Sequence, residues 1–221
     1  MTRALLVDLD DTLSAYAPAD AAGRAAVLPS VAAALACAEP EAAARYAAAR
    51  DAVKHRVGRR GCSHARLLYL HELVAEAGRP DLLGHVRAWE RAYWAAFLGA
   101  ARLADGAAAL LDAVRERGWR VSIITDLTLE VQLWKCEALG LLSRIDALTA
   151  SEEVEADKPH PALFHLGAAR VGVPLARCVV LGDDDARDGE GARALGLPFF
   201  LAGRGADLAR AARDILELDS C

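Results

Sequence analysis

Residues 5–13 read LLVDLDDTL: three apolar residues suited to burial run into three acids, Asp8, Asp10 and Asp11, within four positions. A continuous apolar run of this kind predicts a core strand of a parallel sheet, covered on both faces. Carboxylates crowded at its carboxyl end repel one another, so something must offset the repulsion. A divalent cation is the simplest compensation, and the carboxyl edge of a parallel sheet is where α/β folds take their ligands.

Working outward, VSIIT at 121–125 and CVVLG at 178–182 have the same form as the first strand, and 146–150 and 198–201 are shorter strand candidates. Amphipathic stretches lie between them at 105–118, 128–140 and 160–172, each closing on a glycine as helices often do. Alternation of this kind predicts an α/β fold, a doubly wound parallel sheet with right-handed crossovers. The segment 15–103 differs: it is rich in Ala, Arg, Leu and His at helical spacing and contains no convincing strand. The expected division is a core of 1–14 and 104–221 carrying an inserted all-helical unit of 15–103, set above the carboxyl end of the first strand.

At 221 residues the chain is long enough for one large domain, or one domain with an insertion. With 54% hydrophobic and 26% charged residues, its composition is that of a folded globular protein. A net charge of -5 argues against a protein that coats nucleic acid or anionic lipid. Cys37, Cys62, Cys136, Cys178 and Cys221 are scattered and odd in number, which suggests reduced thiols and neither a disulfide framework nor a zinc site. No apolar run reaches membrane-spanning length, and no leader pattern opens the sequence. The expectation is a cytoplasmic monomer or homodimer with no nucleic-acid or membrane partner.

Four chemical signals fall at strand ends or helix starts: Asp8 with Asp10, Thr125 with Asp126, Lys158 in DKPHPALF, and Asp183 with Asp188 in LGDDDARD. A parallel sheet brings its strand ends to one edge, so these groups converge although they are far apart in the chain. Asp8 and Asp183 then suit a magnesium ion, while Lys158 and the Thr125 hydroxyl suit phosphoryl oxygens. Asp8 is left as a nucleophile able to form an aspartyl phosphate, and Asp10 as general acid and later base. Asp184 and Asp185 are read as capping residues of the following helix.

DLDDTL, ITD, DKPHPALF and LGDDDARD resemble, in order, the four motifs of the haloacid dehalogenase superfamily, in its magnesium-dependent phosphatase branch. The helical insert is similar to that family's cap. The resemblance implies a Rossmann-like core that hydrolyses a small phosphorylated metabolite. Asp8 matches the nucleophile and metal ligand, and Asp10 the acid/base residue whose backbone carbonyl also binds metal. Thr125 and Lys158 match the phosphate-binding pair, with Asp126 beside them, Asp183 the acidic metal ligand, and Asp188 the second acid of the last motif. Three positions depart from the pattern: Asp11 stands where Gly is frequent, Asp126 where Asn is frequent, and Glu155 where Gly is common.

In the insert, Lys54, His55, Arg56, Arg59, Arg60, His64 and Arg66 form a basic stretch that either draws in an anionic substrate or is a solvated face. On the first reading Arg59 and Arg60 select the leaving group. Trp89, Tyr93 and Trp94, at helical spacing, are read as packing residues. Three alternatives compete with a phosphatase. A phosphomutase of the β-phosphoglucomutase kind shares every core motif. A 2-haloacid dehalogenase needs neither Asp10 nor the metal site. A phospho-acceptor signalling module has its acceptor acid after a middle strand and no place for the insert.

Overall fold

The computed structural model describes residues 2–154, 156–203 and 208–218; Glu155 and Cys221, singled out above, lie outside them. Five parallel strands, β1 (Ala4–Val7), β2 (Arg120–Thr125), β3 (Ala147–Ala150), β4 (Cys178–Gly182) and β5 (Phe199–Leu201), form one sheet in the order β3-β2-β1-β4-β5. The LLV run is its central strand. Leu5 and Val7 face one hydrophobic cluster and Ala4 and Leu6 another, which is why the run shows no polar alternation.

Nine α-helices are described: α1 (Tyr16–Leu35), α2 (Glu39–Val57), α3 (Arg66–Glu76), α4 (Val86–Ala100), α5 (Ala107–Glu116), α6 (Leu129–Ala138), α7 (Pro161–Arg170), α8 (Glu190–Ala194) and α9 (Leu208–Glu217). The three predicted core helices are α5, α6 and α7, each shorter than its amphipathic stretch, and the turns after them end on Gly118, Gly140 and Gly172 with positive φ. The sequence reading placed a helix after Asp184 and Asp185, where a turn at 185–189 leads into α8, but did not separate α9 from the surrounding loops. α8 has only five residues, and α9 follows a short edge strand.

Helices α1 to α4 occupy the stretch between β1 and α5, and α1 packs along α4 and α2 along α3. Trp89, Tyr93 and Trp94 are buried among them, as read from their spacing. The two crossings into this bundle lie side by side: Ser14 bridges Leu103, and the Ala104 amide donates to the Leu13 carbonyl at 2.8 Å. Its apolar residues join the cluster on the Leu5 and Val7 face of the sheet. Among the described residues no single helix is long and apolar enough to cross a membrane. Cys37, Cys62, Cys136 and Cys178 are free thiols.

The opposite face is closed by α7, whose Gly167 lies so near β2 that a Cβ there would stand 2.5 Å from Ile124 Cγ2. Overfilling such a contact costs about 1–3 kcal/mol because neither backbone can retreat without disturbing a packed layer. Gly167→Val is therefore expected to lower the unfolding free energy by an amount in that range, seen as a lower urea midpoint, without changing the secondary structure seen by circular dichroism. An unchanged midpoint would show that α7 is free to move away from the sheet.

Candidate active site

Strand β1 delivers Asp8 to the sheet edge, buried and held by its own amide donating to Leu181 O of β4 at 2.9 Å. The chain then turns sharply. Asp11 adopts φ 63°, a region that Asn, Asp and Gly tolerate, so Asp at this family glycine position keeps the loop's shape. Its carboxylate also receives the Tyr16 amide at the start of α1, at 3.0 Å. Thr12 donates its hydroxyl to Asp8 Oδ2 at 3.1 Å and to Asp183 Oδ1 at 3.4 Å, linking two strand ends.

Lys158 is the cation of this cluster. Its ammonium is 2.6 Å from Asp8 Oδ1 and 2.7 Å from Asp188 Oδ1, and it is only 2% exposed. Burial alone would favour the neutral amine, but Asp188 and Asp8 outweigh it and hold the lysine above its ordinary range. Burial pushes Asp8 up to about 8 against the pull of Lys158, and the neighbouring charge of Asp188 adds to the rise. One lysine therefore leaves the acids undercompensated. Carboxylate oxygens of Asp8, Asp183 and Asp188 all lie within 4.8 Å of one another. This all-oxygen donor set fits a hard divalent cation, whose charge would supply what Lys158 does not.

The sequence reading assigned the metal to Asp8 and Asp183 and, through its backbone carbonyl, to Asp10. The structure brings Asp188 into the carboxylate cluster, while the Asp10 side chain meets the Lys135 ammonium at 2.7 and 3.0 Å and Gln132 Nε2 at 3.5 Å. Thr125 accepts from the same Gln132 amide at 2.8 Å. Asp126 accepts from the Lys158 backbone amide at 3.0 Å and pairs with Arg187 at 3.1 Å, tying β2 to both later loops. Burial raises the Asp126 carboxyl, and the Lys158 charge opposes the rise. Asp184 caps the turn at 185–189 by accepting from Ala186, as expected, whereas Asp185 pairs with Arg193 at 2.8 Å in place of the expected capping role.

Gln132 and Lys135 were missed, although a signal was present. Both fall on the stripe of α6 that carries Val131 and Cys136, positions where the amphipathic pattern calls for apolar residues. Lys135 is 1% exposed, packed against the rings of Tyr16, Trp94 and Phe97.

These groups open into a cavity of about 330 Å³, whose far wall comes from the insert through Tyr16, Lys54, His64 and Arg66. Arg59 and Arg60 are not in that wall. Arg59 donates to the Lys158 carbonyl at 2.7 Å, and Arg60 borders a separate cavity beside Ser151 and His160. The loop at 58–64 is seated closely on the core: a Cβ on Gly61 would stand 2.6 Å from the Glu152 amide nitrogen and 2.8 Å from Leu127 O. His64 Nε2 meets Asp157 Oδ2 at 3.0 Å, and Ser151 donates to the other oxygen at 2.6 Å.

The family of haloacid dehalogenase-like hydrolases matches residues 2–196. The ribulose-1,5-bisphosphate 5-phosphatase of Halopiger xanaduensis is 37% identical over 205 residues, covering 91% of this chain and 84% of that protein. A haloacid dehalogenase-type phosphatase from Thermococcus onnurineus shares the fold with a TM-score of 0.68 at 21% identity, over 94% of this chain and 88% of that one. A 2-haloacid dehalogenase from Pseudomonas syringae shares it with a TM-score of 0.73 at 21% identity, over 91% and 86%. This chain belongs to the haloacid dehalogenase-like hydrolase family, and its parallel α/β core is that family's fold.

Burial works against the charge of Asp157, but hydrogen bonds from His64 and Ser151 prevail and hold its carboxyl below the usual range. A carboxyl depressed in the folded state contributes stability above its unfolded pKa of about 4 and loses it as pH falls through the folded value. The stability difference between wild type and Asp157→Asn should therefore be present at pH 6 and shrink steadily below about pH 4 in chemical denaturation. A difference that stays constant down to pH 3 would mean that the Asp157 charge contributes nothing to the fold.

Proposed function

We propose that this hydrolase is a phosphatase that cleaves a phosphate monoester of a small metabolite through an aspartyl phosphate on Asp8, with Mg2+ held by Asp8, Asp183 and the Asp10 backbone carbonyl, and Asp188 beside them. The observation that carries the reading is the pairing, in one cavity, of a buried carboxylate cluster suited to a cation with a second, separately held carboxylate on Asp10. The relative covering most of the chain is named for a phosphatase reaction, which supports the same class.

In the first step an Asp8 carboxylate oxygen attacks phosphorus and the ester P–O bond breaks. Asp10 gives its proton to the departing oxygen. In the second step the Asp10 carboxylate takes a proton from water, whose oxygen attacks the phosphorus of the acyl phosphate. Inorganic phosphate leaves and the Asp8 carboxylate is restored. Lys158 and Thr125 offer donors to the phosphoryl oxygens, Asp126 orients the Lys158 loop, and Gln132 and Lys135 hold Asp10 and Thr125 in position. The bound cation supplies positive charge at the phosphoryl group and against the crowded acids.

Residues 15–103 serve in this reading as a cap that closes over the core of 1–14 and 104–221, hinged at the paired crossings near Ser14 and Leu103. The leaving group then meets Lys54, His64 and Arg66 ahead of Arg59 and Arg60. The four free thiols suit a cytoplasmic setting. A 2-haloacid dehalogenase leaves the Asp10 arrangement without a task. A phosphomutase uses the same core and differs in handing the phosphoryl group back to its product.

Two variants test the reading. Asp10→Asn should lower turnover by about a hundred- to ten-thousandfold on a sugar phosphate, since general acid/base help is lost. With an activated aryl phosphate the variant should accumulate a phosphoryl adduct on Asp8, visible by mass spectrometry after rapid quenching. Asp183→Asn should raise the Mg2+ concentration needed for half-maximal activity. Turnover of Asp10→Asn equal to wild type would remove the mechanism, and a phosphorylated sugar product in place of inorganic phosphate would favour the mutase.

A further inference from the structure

Beside the active-site cavity, within the helical insert, lies a second cavity of about 260 Å³ lined by α1, α2, α3 and the turn at His64, open to solvent on the side of Arg24 and Arg50. The two are neighbours in the strict sense that Tyr16, Lys54, His64 and Arg66 form part of the wall of both. We propose that this second cavity is a subsite for a phosphate remote from the scissile one, so that the substrate is a small bisphosphate spanning the two chambers. The proposal rests on the phosphatase reading and names its substrate class.

The charge pattern carries it. The inner chamber is walled by Arg24, Arg50, Lys54 and Arg66, and its one carboxylate is Asp20. Asp20 is already taken, 2.9 Å from Arg24 and 3.3 Å from Arg66. Arg50 pairs at its exposed tip with Asp51, which is not part of the wall. The Lys54 ammonium, at the junction of the two chambers, makes no ion pair or hydrogen bond among the described residues. Four cations against one acid leave an excess that a monoanionic carboxylate would not balance, whereas a phosphate dianion with three acceptor oxygens suits it.

Arg66 makes the surplus permanent. It is 5% exposed and ringed by Tyr16, Tyr69, Tyr93 and Trp94, with its guanidinium donating to the His64 carbonyl at 2.7 Å and to the Tyr16 and Tyr93 hydroxyls. A cation fixed by packing keeps its charge at the neck whether or not substrate is present. Burial, and after it the charges of Arg50, Arg187 and Arg66, pushes the Lys54 ammonium below its ordinary range, so an anion seated beside it would favour its charged form. The acids of the outer chamber and the cations of the inner one thus give the site two unlike ends. An extended molecule with a phosphate at each end has one phosphate for the acid-held cation and Lys158, and one for Lys54 and Arg50.

The test compares ribulose 1,5-bisphosphate, ribulose 5-phosphate and an aryl phosphate on wild type, Lys54→Met and Arg50→Ala/Lys54→Met. Wild type is expected to prefer the bisphosphate over the monophosphate in kcat/KM by about ten- to a hundredfold, the value of one or two charge-assisted hydrogen bonds. The double variant should bring that ratio to within about threefold, because the lost contacts are charge-assisted. Both positions are on the exposed side of α2, and circular dichroism melts check that the variants fold. Calorimetric titration of the same sugars into Asp8→Asn, with and without the α2 substitutions, reads the subsite without turnover. If no ester is hydrolysed by wild type, the phosphatase reading fails while calorimetry still decides the subsite. Equal affinity for bisphosphate and monophosphate in Asp8→Asn, or a preference untouched by the α2 substitutions, would overturn the proposal.

Discussion

The buried ammonium of Lys158, shared between Asp8 at 2.6 Å and Asp188 at 2.7 Å, is the interaction on which the site depends. Removing one partner of such a group costs several kcal/mol, about 3–5 in measured cases, because the charge left behind has no water to turn to. That cost places demands on three loops at once. Asp8 must leave β1 at the central position of the sheet, Asp188 must reach back from the turn after β4, and Lys158 must arrive from the loop before α7. The remaining carboxylate excess, with Asp183 added, makes a divalent cation the natural completion of the cluster.

The second organising feature is the division of charge between core and insert. The core edge supplies nearly all the acids of the outer cavity, while the insert contributes Lys54, His64 and Arg66. Among the contacts that hold the insert's loop in register with the Lys158 loop are Gly61 against Leu127 and Glu152, Arg59 on the Lys158 carbonyl, and His64 on Asp157. Because the last two touch the residues on and beside Lys158, seating the loop and placing the lysine are linked. A phosphate ester entering between these surfaces meets a preorganised set of donors in a site partly withdrawn from water.

The core is largely legible in the sequence alone. Apolar runs buried on both faces have no polar alternation, so LLV, VSIIT and CVVLG announce parallel strands, and their polar ends announce the ligand edge. Glycines closing the amphipathic stretches marked the ends of α5, α6 and α7, because a left-handed residue terminates the ladder there. Asp8, Thr125, Lys158 and Asp183 converge for the same topological reason, which needs only strand order and a common direction.

What the sequence by itself determined, then, is which elements form, which loops meet, and which acids and bases those loops carry. Tertiary structure decided how the side chains pair. Asp188, four residues past a helix cap, turns inward to Lys158, while the side chain of Asp10, two residues from Asp8, turns away to Lys135 on α6. Arg59 is drawn to a backbone carbonyl, and Lys54 and Arg66, from the same basic stretch, face the cavities instead. The physical reason is range. Strand and helix formation follow periodicities that local sequence contains, whereas the partner of a charge at the interface of insert and core is set by residues about a hundred positions away, through packing that no local pattern encodes.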